Sequence, residues 1–350
     1  MTTTAMADAV QLVGGSIGFD YHGVIDNFWQ LTVDGVTYGA IYALVAVGYT
    51  LVYGVLRLIN FAHSEIFMLG LFGQLIGLLI FQFVPAPDVY TQGAVLTVVY
   101  LAMAGIIGAL IAGGAAVGLE RIAYRPLRMR GAKPLSFLIT AIGMSFVLQE
   151  FVHFILPKIP VPEKWGILGG TNAQQRVQLI EPTDQFSFGG ASVTNVMLLI
   201  VIAAVILAIG TEVVINRTKF GRGIRAVAQD PDTATLMGVS RERIIMLTFL
   251  IGGVLAGAAA VLFSIRVPSG IIYSGGFILG IKAFSAAVLG GIGNLRGALL
   301  GGVILGVVEQ YGQILFGTQW RDVVAFVVLV LVLMIRPTGI LGESLGRARA

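Results

Sequence analysis

Long apolar runs separated by short polar stretches dominate the pattern of hydrophobic and polar positions along the chain. A membrane-spanning helix needs about 20 mostly apolar residues. Such runs cover residues 31–56, 64–84, 94–119, 136–156, 193–215, 244–265, 277–293, 297–316 and 323–335. The seventh and the last run are short, so one of them could be re-entrant or broken. The pattern predicts an all-α polytopic membrane protein with eight or nine transmembrane helices.

A weak internal repeat is visible in the same pattern. An apolar helix, a tight turn with Asn and Arg, and a second apolar helix occur at residues 35–80 and again at 277–316. Transporters are often built from such repeats. Chance similarity between Gly-rich membrane helices explains the echo nearly as well.

The most basic interruption lies at residues 216–243, between two strongly apolar runs. It contains Lys219, Arg222, Arg225, Arg241 and Arg243. An excess of Lys and Arg in short loops marks the cytoplasmic side of a membrane. With nine spans the other basic loops fall on this side too, which predicts the N-terminus outside and the C-terminus inside.

This orientation divides the chain into segments. We expect an extracytoplasmic segment at 1–30, a transmembrane domain at 31–340 with an outer loop at 157–192, and a cytoplasmic tail at 341–350. Residues 1–30 contain no Lys or Arg, so the charged region of a signal peptide is missing and the first spanning helix should serve as the targeting signal. The outer loop could receive an extracytoplasmic partner or be a passive connector. The three tryptophans fall at or beyond outer helix ends, where aromatic rings are favoured; they are Trp29, Trp165 and Trp320.

A small helix with both ends encoded lies inside the basic interruption. Asp230 can cap its N-terminus, Pro231 fits the first helical position, Asp232 suits the positive end of the dipole, and Gly238 can close the C-terminus. The body, residues 231–237, is too short to be stable alone in water. It should therefore dock on something, although a solvated loop is equally compatible with these residues.

Composition agrees with a membrane protein and excludes several kinds of chemistry. The chain is 57% hydrophobic and 11% charged with a mean hydropathy of +0.91, whereas soluble domains are about 25% charged. The net charge of +4 reflects the basic inner loops and does not argue for nucleic acid binding. There is no cysteine, the three histidines are far apart, and no Walker motif occurs, so we predict no metal site, no catalytic site and no nucleotide bound by this chain. Any ATP must be used by a partner.

Polar side chains inside apolar runs are candidates for function. The candidates for a substrate pathway are Asn60, His63, Glu65, Lys282 and Asn294. Capping by Asn60 or Ser64 and the helix dipole at Glu65 give a structural alternative at the second run, and Lys282 could simply extend to the membrane surface. In a second hypothesis, a self-sufficient channel or ion-coupled carrier, Lys282, Glu309 and Glu150 would form a coupling network.

Glycines at intervals of four predict a close helix crossing near residue 297. Gly293, Gly297 and Gly301 form one such row, and Gly302 and Gly306 another. Small residues at this spacing let helix backbones approach closely in lipid.

Several motifs in one order resemble the branched-chain amino acid ABC importer permeases of the LivH type. They are DGVTYGAIYAL at 34–44, LINFAHSEIFMLG at 58–70, GRGIRAVAQD at 221–230 with MGV at 237–239, IKAFSAAVLGGIGNLRGA at 281–298 and RPTGILG at 336–342. The resemblance covers residues 31–342. Ser64 stands where members more often carry Gly.

The resemblance implies a permease in a prokaryotic cytoplasmic membrane that imports leucine, isoleucine or valine. It implies a second, homologous permease, cytoplasmic ATPase subunits and an extracytoplasmic substrate-binding protein as partners. It also implies that the short helix is the coupling helix to the ATPase, with the coupling residues Arg225, Asp230, Pro231, Asp232, Leu236, Met237 and Gly238. Permeases for urea or short amides look similar and are the alternative for the cargo.

Overall fold

The computed structural model describes residues 21–81, 94–155, 174–175, 180–267 and 271–342. Within these ranges eight helices are long and apolar enough to cross a membrane, and a shorter apolar helix covers Gly275–Gly290. The prediction of an all-α polytopic membrane protein with eight or nine such helices is confirmed.

The first part of the chain forms four helices and a continuation. They are α1 (Tyr21–Asp26), α2 (Phe28–Leu56), α3 (His63–Ile80) and α4 (Ala94–Leu119), which continues through a π-helical turn at Glu120–Tyr124 into α5 (Arg125–Met129). Residues Leu96–Met129 thus form one uninterrupted helix of 34 residues. The sequence predicted that this helix ends at residue 119 in a basic loop, whereas the first arginines of that loop extend the helix.

The segment around the predicted outer loop contains the strands. The elements in order are α6 (Pro134–Glu150), a π-helical turn at Phe151–Ile155, β1 (Gln174–Gln175), β2 (Asp184–Phe188) and β3 (Ala191–Thr194). Strands β2 and β3 form an antiparallel hairpin whose turn uses Gly189 and Gly190 at φ of 57° and 87°. A hairpin was not predicted here, and Trp165 lies outside the described residues.

The remaining elements complete the bundle. They are α7 (Asn195–Arg217), α8 (Lys219–Gln229), α9 (Pro231–Leu236), α10 (Arg241–Arg266), β4 (Ile271–Ile272), α11 (Gly275–Gly290), α12 (Leu295–Phe316), a 3-10 turn at Thr318–Trp320 and α13 (Arg321–Ile335). Strand β4 pairs antiparallel with β1. The seventh predicted run is α11, a helix of 16 residues that ends three residues earlier than expected.

Burial separates central from peripheral helices. The most apolar windows of α2 and α3 are 83% and 89% buried, whereas those of α6 and α7 are 22% buried and that of the last span is 6% buried. An apolar helix with so little burial must face lipid or another apolar chain. Helices α2 and α3 therefore form the centre.

Glycines on two faces of α12 bring it close to both α2 and α11. A Cβ on Gly306 would lie 2.4 Å from the carbonyl oxygen of Gly35 on α2, and one on Gly301 would lie 2.1 Å from the carbonyl oxygen of Ala286 on α11. Gly297 meets Gly290 of α11 in the same way. Gly297 and Gly301 of the first predicted row, and both glycines of the second, thus lie at helix contacts.

The predicted packing role of Gly293 is wrong. Gly293 lies in the turn between α11 and α12 with φ of +101°, and a Cβ there would meet nothing within 4 Å. Its spacing from Gly297 fits a helical row, but the helix starts only at Leu295. The turn uses Gly293 for its positive φ.

Candidate functional site

Helix α9 is capped at its N-terminus by Asp230. The Oδ1 atom accepts hydrogen bonds from the amides of Asp232 at 3.0 Å and Thr233 at 3.1 Å, and the Thr233 hydroxyl donates to Oδ2 at 2.5 Å. Pro231 occupies the first helical position. The hydrogen bonds from the Thr233 hydroxyl, the Thr233 amide and the Asp232 amide hold the pKa of the Asp230 carboxyl below its usual range. Asp230 is thus the N-cap that its sequence context predicts.

Gly238 closes the C-terminus of α9, as predicted. Gly238 has φ of +83°, its amide donates to Thr235 O at 3.0 Å, and the amide of Val239 donates to Ala234 O at 2.9 Å. These two hydrogen bonds around a glycine in the left-handed conformation satisfy the last carbonyl groups of the helix. The six-residue helix therefore has a well-defined end.

Two apolar side chains project from this capped helix. Leu236 is 87% exposed and Met237 is 80% exposed, while Ala234 on the opposite side is buried. Helix α9 contacts α8 and α10, so it does dock on the bundle, through Ala234. The exposed side chains of Leu236 and Met237 form what we call the apolar tip of α9.

Helix α8 packs against α9 and supports it. The sequence did not predict α8 as a helix. Ile224 and Val227 are buried, and their spacing of three residues is the signal that could have revealed an amphipathic helix. Thr218 joins α7 to α8, since its hydroxyl donates to Val214 O at 2.5 Å and accepts from the amide of Gly221 at 3.2 Å.

The guanidinium of Arg225 is used within the chain. It donates to Ile215 O at 2.6 Å and so braces α8 against the end of α7. The resemblance places Arg225 among the residues that couple to an ATPase. The observed contact also gives Arg225 a role in positioning α8, which carries α9.

A buried ion pair ties the long helix to the base of α10. Arg128 Nη2 lies 2.6 Å from Glu120 Oε1 and 2.8 Å from Glu242 Oε2, and the side chains of Arg128 and Glu120 are 7% and 2% exposed. Glu242 is in the first turn of α10, shortly after α9. Sequence reasoning missed this contact because Arg128 falls in the basic loop that the sequence predicts after residue 119.

Asn60, His63 and Glu65 form a buried polar cluster at the start of α3. Glu65 Oε1 accepts hydrogen bonds from Ser64 at 3.3 Å and Ser145 of α6 at 3.2 Å, and the His63 ring packs edge-on against the Tyr49 ring with centroids 4.7 Å apart. Within the described residues Asn60 Nδ2, His63 Nε2 and Glu65 Oε2 are buried without a hydrogen-bond partner. The three predicted pathway residues are thus close together and have unused polar atoms.

The predicted cap of α3 is wrong. The N-cap residue is Ala62, with no side-chain hydrogen bond. Asn60 Oδ1 instead accepts from the Tyr124 hydroxyl at 2.9 Å, and the Ser64 hydroxyl donates to Phe61 O at 2.8 Å. Tertiary contact with Tyr124 has replaced the local cap.

Lys282 lies in a second cluster, which we call the charge cluster and which consists of Lys282, Glu309, Arg321 and Asp322. Lys282 Nζ is 2.5 Å from Glu309 Oε1 and 2.6 Å from Asp322 Oδ1, and Arg321 Nε is 2.5 Å from the same Glu309 oxygen. The Lys282 side chain is 9% exposed, so it does not extend to the surface as the alternative supposed. Arg321 and Asp322 were not predicted as site residues, because they precede the last apolar run at 323–335 and only the structure places them in the first turn of α13.

Arginine side chains extend the charge cluster towards α2 and α10. The guanidinium carbons of Arg321 and Arg266 lie 4.9 and 5.1 Å from the centroid of the Tyr38 ring, a cation–π geometry. Arg266 also pairs with Asp34 at 2.5 Å. Glu150, the third member of the network hypothesis, bonds to His153 at 3.4 Å and is not among the residues that pair with Lys282.

Asn294 is a helix cap that binds the C-terminal segment. Its Oδ1 accepts from the amides of Arg296 at 3.0 Å and Gly297 at 3.2 Å, and its Nδ2 donates to Leu341 O at 2.9 Å. The five predicted pathway residues therefore occupy three separate places: the α3 cluster, the charge cluster and the cap of α12. They do not form one site.

Comparison with known proteins gives extended matches. The family model described as "Branched-chain amino acid transport system / permease component" matches residues 31–333. The high-affinity branched-chain amino acid transport system permease protein BraD of Pseudomonas aeruginosa is 41% identical over 327 residues, which are 91% of this chain and 97% of that protein. The corresponding LivH proteins of Salmonella typhimurium and Escherichia coli are 39% and 38% identical over 319 residues, 90% of this chain and 96% of each relative.

Proposed function

Because the chain belongs to the family of branched-chain amino acid transport permeases, we propose that it is the membrane-spanning subunit of an ATP-driven importer for leucine, isoleucine and valine. The observation that carries the proposal is similarity over 91% and 90% of the chain to BraD and LivH, which are named for the transport of branched-chain amino acids. The chain itself performs no chemistry in this proposal. It binds no cofactor, and ATP is bound and hydrolysed by separate subunits.

Helix α9 is the proposed contact with the ATPase. A capped helix that is fixed to the bundle by Ala234 and presents exposed Leu236 and Met237 can fit an apolar cleft of a soluble protein. Because α9 leads directly into α10, whose first turn is fixed to the long helix through Glu242 and Arg128, a displacement of α9 would be carried into the bundle. Closure of the ATPases would in this way open the pathway alternately to the two sides.

The proposed complex contains two permeases, two cytoplasmic ATPase subunits and an extracytoplasmic binding protein that delivers the amino acid. The poorly buried helices α6, α7 and α13 offer apolar faces for lipid and for the second, homologous permease. The orientation proposed from the basic residues places α9 on the cytoplasmic side of a prokaryotic cytoplasmic membrane. The N-terminus is then outside and the C-terminus inside.

The alternatives are less favoured. The names of the relatives favour branched-chain amino acids over urea or short amides. A self-sufficient carrier would use a network of Lys282, Glu309 and Glu150, but Glu150 pairs with His153 of its own helix.

Two measurements test the proposal. The tagged chain is purified in mild detergent from its native membrane and the proteins that travel with it are identified; two ATPase polypeptides and a related permease are expected. The complex is then reconstituted in liposomes with its binding protein, and uptake of labelled leucine should require ATP. Flux through the chain alone without ATP, or uptake of urea in preference to leucine, would overturn the proposal.

A further inference from the structure

The charge cluster has the composition of a receptor for a zwitterion. We propose that it binds the charged groups of the transported amino acid, with Glu309 accepting the ammonium group and Lys282 and Arg321 binding the carboxylate. The inference rests on the proposed function only for the identity of the cargo. It adds a binding site within this chain, separate from any site on the binding protein.

The ion pairs of Glu309 are distributed unequally between its two carboxylate oxygens. Lys282 and Arg321 both approach the same oxygen, Oε1, each at 2.5 Å. The second oxygen, Oε2, is buried without a hydrogen-bond partner among the described residues. A buried carboxylate oxygen without a donor is costly, and an ammonium group supplies up to three donors.

The two cations are crowded in the same way. Lys282 and Arg321 carry like charges and share one oxygen atom, so each repels the other at short range. Lys282 has Asp322 as a second carboxylate partner, whereas Arg321 pairs with Glu309 alone among the described residues. A further carboxylate would give Arg321 an acceptor of its own. An amino acid supplies that carboxylate, and its ammonium group supplies the hydrogen-bond donor that Glu309 Oε2 lacks.

Charge balance favours exchange with a zwitterion over binding of a simple ion. The charge cluster contains two cations and two carboxylates, and a zwitterion adds one charge of each sign. The net charge is therefore unchanged on binding, whereas a lone cation or anion would leave an uncompensated charge in a poorly hydrated place. Both ends of the ligand find an opposite charge.

The exposed fraction of the side chains increases across the charge cluster, which gives a ligand a route from the surface to Glu309. The side chain of Glu309 is fully buried, that of Arg321 is 24% exposed and that of Asp322 is 46% exposed. Asp322 is in the first turn of α13, at the end of that helix remote from Arg336. A ligand would contact Asp322 first. It would then reach Glu309 by replacing the ion pairs within the charge cluster with pairs to its own charged groups.

The α3 cluster is a weaker candidate for the same role. Glu65 is bonded there to the hydroxyls of Ser64 and Ser145, and no lysine or arginine pairs with it among the described residues. It could accept an ammonium group but offers no partner for a carboxylate. Of these two clusters, the charge cluster alone has partners for both ends of an amino acid.

The lack of cysteine in the chain makes a direct test possible. Gln313 lies one turn beyond Glu309 on the same face of α12 and is partly exposed. In the purified permease complex, without binding protein or ATP, a Gln313→Cys variant is labelled with a thiol reagent in the presence of L-leucine, isoamylamine or 4-methylpentanoate. The last two ligands keep the side chain of leucine but lack the carboxylate or the ammonium group.

We expect leucine to slow labelling of the introduced cysteine and neither analogue to do so. Glu309→Gln, which removes the charge and keeps the shape, should abolish the protection, while Glu150→Gln on α6 should leave it intact. Thr318→Cys, exposed beyond the end of α12, should label at the same rate with and without leucine.

Two outcomes would overturn the proposal. Unchanged labelling at saturating leucine would remove the site, and equal protection by all three ligands would indicate an apolar cavity rather than charge recognition. If leucine gives no protection while ATP-driven leucine uptake is normal, the charge-cluster proposal fails and the proposed function stands. The ligand comparison needs no variant of the charge cluster, so it remains decisive even if Glu309→Gln fails to fold.

Discussion

Three hydrogen bonds from Thr233 and Asp232 to the Asp230 carboxylate start helix α9. Replacement by alanine removes the acceptor, whereas asparagine retains one and is an equally good N-cap. We expect Asp230→Ala to reduce ATP-driven uptake strongly and Asp230→Asn to keep it close to the wild-type rate. Uptake by liposomes containing equal amounts of each variant measures the difference. Equal rates for the two variants would show that α9 does not depend on this cap.

The pH dependence of the cap follows from the same contacts. The pKa of Asp230 is lower in the folded chain than usual, so the stabilisation is complete at neutral pH and is lost only as the pH falls through the lowered pKa. Within the neutral range wild type and Asp230→Asn should therefore respond to pH in parallel. A divergence between them near neutral pH would mean that Asp230 is not held in its ionised form.

Arg128 offers a second test at the scale of a residue. Arg128→Met leaves the buried Glu120 carboxylate without its cation, and breaking a buried pair in this way costs about 3–5 kcal/mol. Arg125→Met is the matched control, because Arg125 pairs with Glu242 at 3.3 Å with its side chain 48% exposed, and exposed pairs contribute about 0–1 kcal/mol. Thermal unfolding of the detergent-solubilised variants measures both. Similar melting temperatures would contradict the assignment of Arg128 as the buried tie.

Local contacts explain which residues could be read from the sequence. Asp230 caps the amides two and three residues ahead, so a motif of a few residues defined it. Asn60 has a partner 64 positions away, Tyr124, and no local pattern contains that information. Lys282 was recognised as unusual from its apolar surroundings, but its partner Asp322 comes from another helix.

At the scale of an element, α9 should couple through its apolar tip. We expect the double change Asp230→Ala, Met237→Asp to abolish uptake while leaving membrane insertion intact, because an aspartate at Met237 would have to be desolvated in an apolar interface. Met237→Leu keeps an apolar side chain and should retain most of the activity. The ATPase stimulated by substrate and binding protein is measured together with uptake. Wild-type transport by the double variant would remove the coupling role of α9.

The close crossing of α12 and α2 gives the next prediction. A methyl group on Gly306 would lie 2.4 Å from backbone atoms of Gly35 and Gly39, so Gly306→Ala must push the helices apart, and overpacking of this kind costs about 1–3 kcal/mol. Gly114→Ala on α4 is the control, because nothing lies within 4 Å of its Cβ position and alanine favours helix by about 1 kcal/mol. A lower melting temperature is expected for Gly306→Ala alone. Equal melting temperatures would contradict this contact.

Helices could be predicted from the sequence where a long apolar run is enough to specify a membrane-spanning helix. The apolar runs located the spanning helices because lipid leaves few alternatives to a helix. Helix α8 was not predicted, because its basic residues indicate a polar loop and its buried apolar residues are as few as Ile224 and Val227. The continuation of α4 through a π-helical turn was not predicted, because arginines after an apolar run commonly mark the end of a span. Packing against α10 and the Glu120–Arg128 pair keeps this segment helical.

For the whole molecule, the sequence indicated membrane class and family but not which helices are central. Mean hydropathy does not rank the helices by burial, because α2 and α3, at 1.8 and 1.5, are mostly buried while the last span, at 1.9, is almost uncovered. The difference arises from pairwise contacts such as Gly302 with Ala43, which bring α12 against α2. Hydropathy alone does not contain this information.

The orientation of the whole molecule can be tested with single cysteines, because the chain has none. Helix α7 separates the β2–β3 hairpin from the α8–α9 segment, so Ser187 in β2 and Asp232 in α9 mark its opposite ends. Exposed cations around α9 should keep that end in the cytoplasm, whereas the hairpin contacts Trp29 through Phe188, with ring centroids 5.0 Å apart, as in an aromatic belt at the outer surface. We therefore expect an impermeant thiol reagent to label Ser187→Cys in intact spheroplasts and Asp232→Cys only after permeabilisation. The reverse pattern would place α9 outside, where no cytoplasmic ATPase could reach it, and the proposed coupling would then be physically impossible.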